Sequence, residues 1–191
     1  MKLYERLPDH IELFGKKYRL RLDFRNVLKM MYILERDDLF PAARDYLALK
    51  CVMRRPPKNF RKALPIVRMF LFGESSGGDG KRVTSFDQDA DMIRAAFLQV
   101  YGINLFRDKL HWFEFTALLH NLPNGNKYTE VVGIRSRPIP APTQYNKQER
   151  EWLIKAQATY ALETTDKERE RNYTQSLRRV FADMKTMADR K

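Results

Sequence analysis

The chain has 191 residues, of which 43% are apolar and 12% aromatic, enough to bury about two-thirds of its unfolded surface behind a real core. That excludes global disorder, and two full domains do not fit, since domains cluster near ~100–150 residues. A formal charge of +12 points to acidic partners, protein or nucleic acid, without specifying a fold. No run approaches the ~18 apolar residues of a membrane span, and the N-terminus lacks the apolar core of a secretion signal, so a soluble chain in the cytoplasm is expected. Cys51, the single cysteine, permits neither an internal disulfide framework nor a multi-cysteine metal site and is expected to be a buried structural thiol.

The first element in chain order is a hairpin. Ile11 and Leu13, then Tyr18, Leu20, Leu22 and Phe24, alternate with polar residues, the period of half-buried strands, and Gly15 between them suits a tight connection. Helical spacing takes over from there. Asp23 is placed to cap a helix carrying Val27, Met30, Met31 and Leu34, and Pro41 opens a second helix that runs to about Cys51. Arg54, Arg55, Pro56 and Pro57 break that helix. A third spans about Asn59 to Leu71, where Pro65 predicts either a kink or a later start.

Residues 73–80, Gly-Glu-Ser-Ser-Gly-Gly-Asp-Gly, read as a flexible loop extending to about 85. Asp87, Asp89 and Asp91 then lie at the start of a helix bearing Ile93, Ala96, Phe97, Val100 and Tyr101 and ending at Gly102, where carboxylates suit the positive end of the dipole. Asp108 is expected to cap the next helix, whose broad stripe of Trp112, Phe115, Leu118, Leu119 and Leu122 marks the centre of the core, together with Phe97 and Tyr101. Lys127 to Arg135 fits a short helix or a strand. Pro138, Pro140 and Pro142 favour an extended spacer. Beyond it Asn146 is expected to cap a helix with Trp152, Leu153, Ala156 and Tyr160, and a last helix carries Leu177, Val180, Phe181, Met184 and Ala188.

The expected fold is therefore mainly α with a small N-terminal β-hairpin: a hairpin plus helical core over residues 1–136, a proline-rich arm over 137–146 and a C-terminal helical hairpin over 147–191.

Motifs for chemistry fail on spacing. The Ser76–Arg82 loop has Ser75 and Arg82 where a phosphate cradle needs a glycine and a Ser/Thr. Asp87-x-Asp89-x-Asp91 opens like a calcium loop but has Met92 and Leu98 where glycine and a bidentate acid are required, so helix capping is the better reading. His10, His111 and His120 form no paired ligand motif, and His111 is expected to cap or brace its helix. No nucleophile motif surrounds Ser, Thr or Cys51. Neither an enzyme nor a cofactor or metal is expected.

Residues 1–72 hold 17 Lys/Arg against 8 Asp/Glu, residues 73–143 hold 8 against 8, and residues 144–191 hold 11 against 8. The basic third makes Arg19, Arg21, Arg54, Arg55, Lys58, Arg61 and Lys62 candidates for partner binding, with Tyr18 at the hairpin edge and Trp152 and Phe181 on the narrow stripes of the last two helices. The same cations could track phosphates, but the aromatics lie on the apolar faces instead of being interleaved among them, which disfavours nucleic acid.

Several stretches together resemble a bacteriophage family named after gene product fifteen, encoded in tail gene clusters. They are Leu7-Pro8, Gly15, Tyr18 and Asp23-Phe24-Arg25; Phe86-Asp87-x-Asp89-x-Asp91-x-Ile93; Ala96-Phe97 and Tyr101-Gly102-Ile103-x-Leu105; Leu110-His111-Trp112-x-x-Phe115-x-x-Leu118-Leu119-x-x-Leu122-Pro123; and Ile134-Arg135. Phe113 and Asn104 depart from the family pattern, which often has tryptophan and aspartate there. The resemblance covers residues 7 to 136, and the segment after Arg137 is read as particular to one lineage. It implies a tail assembly chaperone that coats the tape-measure protein, self-associates and helps tail tube protein polymerise. Such a protein would act in the host cell cytoplasm and be absent from the finished virion. The alternatives are a structural component of the tail or connector and a basic nucleic-acid-binding module.

Overall fold

The computed structural model describes residues 4–73 and 82–164. They fall into two compact units, the first ending at Ser136 and the second beginning at Arg137. The expected last helix with Phe181 and most of the glycine-rich loop lie outside the described residues.

The architecture is mainly α with a two-stranded antiparallel hairpin: β1 (His10–Leu13), β2 (Lys16–Arg19), α1 (Phe24–Glu35), α2 (Pro41–Val52), α3 (Phe60–Phe72), α4 (Ala90–Tyr101), α5 (Trp112–His120), α6 (Lys127–Ser136) and α7 (Lys147–Thr159). Ile11 pairs with Tyr18 and Leu13 with Lys16, leaving Phe14 and Gly15 as a two-residue turn. Both have positive φ, 53° and 71°, the conformation whose twist matches a hairpin, and unusual for a phenylalanine.

The second strand is shorter than its alternation predicts. It stops at Arg19, yet Leu20, Leu22 and Phe24 remain buried while Arg21 is exposed. This extended link is held from two sides: Arg21 N–H donates to Val52 O (2.8 Å), Trp112 N–H to Leu22 O (2.7 Å) and Phe24 N–H to Leu110 O (3.0 Å). Its hydrogen bonds go to the end of α2 and the start of α5 instead of a third strand, satisfying a buried backbone without widening the sheet.

Asp23 caps α1, accepting from Arg25 N–H at 3.0 Å. Pro41 opens α2 as expected. α3 begins at Phe60, ahead of Pro65, which removes the late start. The proline has no N–H to offer Arg61 O, and its ring is exposed, where that loss is cheapest. α4 ends on Gly102 in the left-handed region (φ 67°). Residues 127–136 are helical, with Tyr128, Val131 and Arg135 buried on one face.

The core centres on Phe115. Its ring stacks on Phe24 (centroids 4.6 Å apart) and Phe97 (5.3 Å), with Trp112 at 5.9 Å and Phe86 at 6.1 Å. Phe97, Trp112 and Phe115 are buried, whereas Tyr101 and Leu119 are half-buried against that core. Burying one such ring contributes roughly 1.5–3 kcal/mol before packing is counted.

Two expected caps are corrected. α5 is capped by His111, not Asp108: Phe113 N–H donates to His111 Nδ1 (3.3 Å), and Glu114 Oε2 accepts from His111 N–H (3.1 Å). A glutamate three residues on completes a capping box, while Asp108 accepts from Asn104 N–H in the preceding loop. α5 also ends at His120, before Pro123. Asn146 occupies the cap position of α7, but its side chain accepts from Thr143 N–H instead of a helix N–H. The proline arm is tied to α7 by Asn146 Nδ2 to Ala141 O (2.8 Å), Gln157 Nε2 to Arg137 O (2.6 Å) and Arg150 to Pro140 O. It is a fastened extended segment more than a bare spacer.

Candidate partner-binding surface

The basic residues near the third helix come from a stretch without a carboxylate. Between Asp45 and Glu74 the sequence has no Asp or Glu. Arg54, Arg55 and Lys58 lie on the connection between α2 and α3, and Arg61 and Lys62 in the first turn of α3; all five side chains are exposed. None of them makes an ion pair among the described residues. They form the cationic region that composition predicts.

The hairpin residues divide differently. Arg19 is exposed on β2, but the Arg21 guanidinium donates to Lys50 O and, at 3.1 Å, to Cys51 O, closing the C-terminal turn of α2. Tyr18 is half-buried and packs on the core. Trp152 stands 56% exposed on α7, in the second unit, and Phe181 lies outside the described residues.

Large apolar side chains are uncovered elsewhere. Phe40 is 86% exposed and Phe106 71%, the latter with Arg94 stacked over its ring at 4.1 Å, a cation–π contact. Leu47, Ile66, Met69 and Leu98 are also exposed.

The acidic triplet does something capping does not explain. Asp87 and Asp91 are exposed, but Asp89 is wholly buried and bidentate with Arg135, at 2.8 Å and 2.9 Å. It also accepts from Ser85 N–H (2.9 Å), while Arg135 donates to Val83 O (3.2 Å). Asp89 occupies the N-cap position of α4 without accepting from the helix. The sequence signal was Arg135 itself, a charge completing the apolar stripe of Tyr128 and Val131. Burial, and secondly the Asp89 charge, push the Tyr128 phenol above its usual pKa.

Other residues carrying the resemblance are equally structural. Arg25 reaches Asp23 and the carbonyls of Leu105 and Asp108 (2.7 Å each). Trp112 Nε1–H donates to Leu71 O (2.9 Å), the Tyr101 hydroxyl lies 3.0 Å from Leu118 O, and His111 Nε2–H donates to Pro8 O (3.2 Å). Among the described residues no three His, Cys, Asp or Glu side chains gather as a metal site requires, and no helix is long and apolar enough to cross a membrane.

A family model described as Bacteriophage Gp15 protein matches residues 3–162. The chain belongs to this bacteriophage family. The Gp15 match continues past Arg137 through the arm and α7, so those elements are shared with the family, contrary to the expectation that they were particular to one lineage. No curated protein and no solved structure matches the chain.

Proposed function

We propose that this Gp15-family protein is a non-catalytic tail assembly chaperone that binds the tape-measure protein and self-associates while tail tube protein polymerises. It acts in the host cell cytoplasm, uses no cofactor and leaves before the virion is complete. The observation that carries this reading is the surface of a family member: Ile66 and Met69 stand exposed on the same helix as Arg61, Lys62 and Arg68, and Phe40, Phe106 and, in the second unit, Trp152 are exposed as well. Exposed apolar groups rimmed by charge mark sites of protein association, and a long helical partner with apolar stripes needs such cover until the tube replaces it.

Quantitative mass spectrometry of infected-cell lysate and purified virions tests the reading. Abundance in the lysate with absence from virions is expected. Stoichiometric presence in virions would instead make the protein a structural component of the tail or connector.

A further inference from the structure

We infer that the outer face of α3 is a seat for an acidic amphipathic helix of a partner protein, an inference that rests on the chaperone reading only for the identity of that partner. α3 buries Ala63, Leu64, Val67 and Leu71. Its opposite face has two parallel rows, each spaced i, i+4, i+7: Lys62, Ile66 and Met69 in one, Arg61, Pro65 and Arg68 in the other, all exposed. Ile66 is 42% exposed and Met69 57%. An exposed apolar pair edged by cations at this spacing is what a second helix packs against, its apolar side chains seated on Ile66 and Met69 and its charges paired along the flank.

The sign of the partner comes from the local charge. Arg61, Lys62 and Arg68 join Arg54, Arg55 and Lys58 on a stretch with no carboxylate, and none of the six makes an ion pair among the described residues. The first turn of α3 holds no acid, although the helix dipole favours acids there and opposes the two cations that occupy it. Glutamates of a docked helix would relieve that opposition and pair with the cations at once. A duplex would satisfy the cations too, but would leave Ile66 and Met69 facing phosphates. Those side chains are aliphatic, and the methionine is suited to packing against an irregular helical surface.

Fluorescence anisotropy on the full chain tests this with three labelled probes: a designed Leu/Glu amphipathic helical peptide, its Leu/Lys counterpart and a random-sequence DNA duplex. The Leu/Glu peptide should bind, and both R61E/R68E and I66S/M69S should weaken it by about tenfold or more. Lys155→Glu on α7 should not, and the Leu/Lys peptide should not bind. If either pair prevents folding, Lys62→Glu alone or Met69→Ser alone makes the same comparison. No binding of the acidic peptide, or binding that ignores both pairs, overturns the seat. So does DNA binding that R61E/R68E abolishes and I66S/M69S leaves intact without acidic-peptide binding, which would make the face a nucleic-acid surface.

Co-expression with the tape-measure protein separates the two readings. If wild-type chain and R61E/R68E hold that protein equally well and the acidic peptide binds neither, the seat falls and the chaperone stands. If the wild type binds the acidic peptide on α3 but not the tape-measure protein, the chaperone falls and the seat stands.

Discussion

Asp89 and Arg135, one at the start of α4 and the other near the end of α6, meet as a bidentate pair with Asp89 wholly buried and Arg135 7% exposed. Two charges taken out of water are retained only because each meets the other and the backbone of residues 83–85 supplies further hydrogen bonds. Arg135→Met should therefore cost about 3–5 kcal/mol by stranding a buried carboxylate, while Asp89→Leu/Arg135→Met should lose much less. Urea denaturation of the three proteins checks this. A double variant as unstable as the single one would show that the pair's partners, not the unmatched charge, set the cost.

His111 joins a helix cap to a long-range tie at Pro8. His111→Ala should destabilise the chain by about 1 kcal/mol or somewhat more, and Glu114→Gln, which keeps an acceptor for His111 N–H, by less. His111→Asn should fall between them, since asparagine restores the cap but does not reach Pro8. Thermal unfolding gives the order.

Burial pushes the Cys51 thiol upward, partly offset by the charges of Lys29 and Arg21, and its Sγ lies 3.5 Å from Leu47 O. Less thiolate at pH 8 means slower alkylation. Iodoacetamide should modify the native chain more slowly than a free cysteine, with the difference lost in urea. Native reactivity equal to the free amino acid would contradict this.

Tyr128 has a folded-state pKa raised above its unfolded value, because burial penalises the phenolate and the Asp89 charge adds to it. Its contribution to stability is then complete below the unfolded pKa of about 10 and is lost as pH rises through the folded value. Wild type and Tyr128→Phe compared by urea unfolding should diverge above pH 10, the phenylalanine variant losing less. Parallel pH profiles would remove the effect.

Local signals made much of this fold readable. Alternation located the hairpin, and Asp23, Pro41 and Gly102 marked helix ends because cap chemistry depends on neighbours a few residues away. The acids at 87, 89 and 91 look alike by the same local rules; only a partner on α6 sends the middle one inward. Asp108 is by type the better cap, yet Glu114 completes the box with His111, and the loop turns Asp108 towards Asn104. Counting charges located the basic stretch. The placing of Ile66 and Met69 among Arg61, Lys62 and Arg68 on one face became visible only once α3 ran unbroken through Pro65, and the removal of Arg21 from the free cations required the end of α2 to lie beside it.

A molecule that covers another polypeptide's apolar surface should keep that polypeptide in solution, and the fraction of tape-measure protein left in the supernatant after centrifugation, with and without this chain co-expressed, measures this directly. The tape-measure protein should sediment when expressed alone and stay soluble, in a complex that co-purifies, when this chain is present. An unchanged soluble fraction with no co-purification would contradict it.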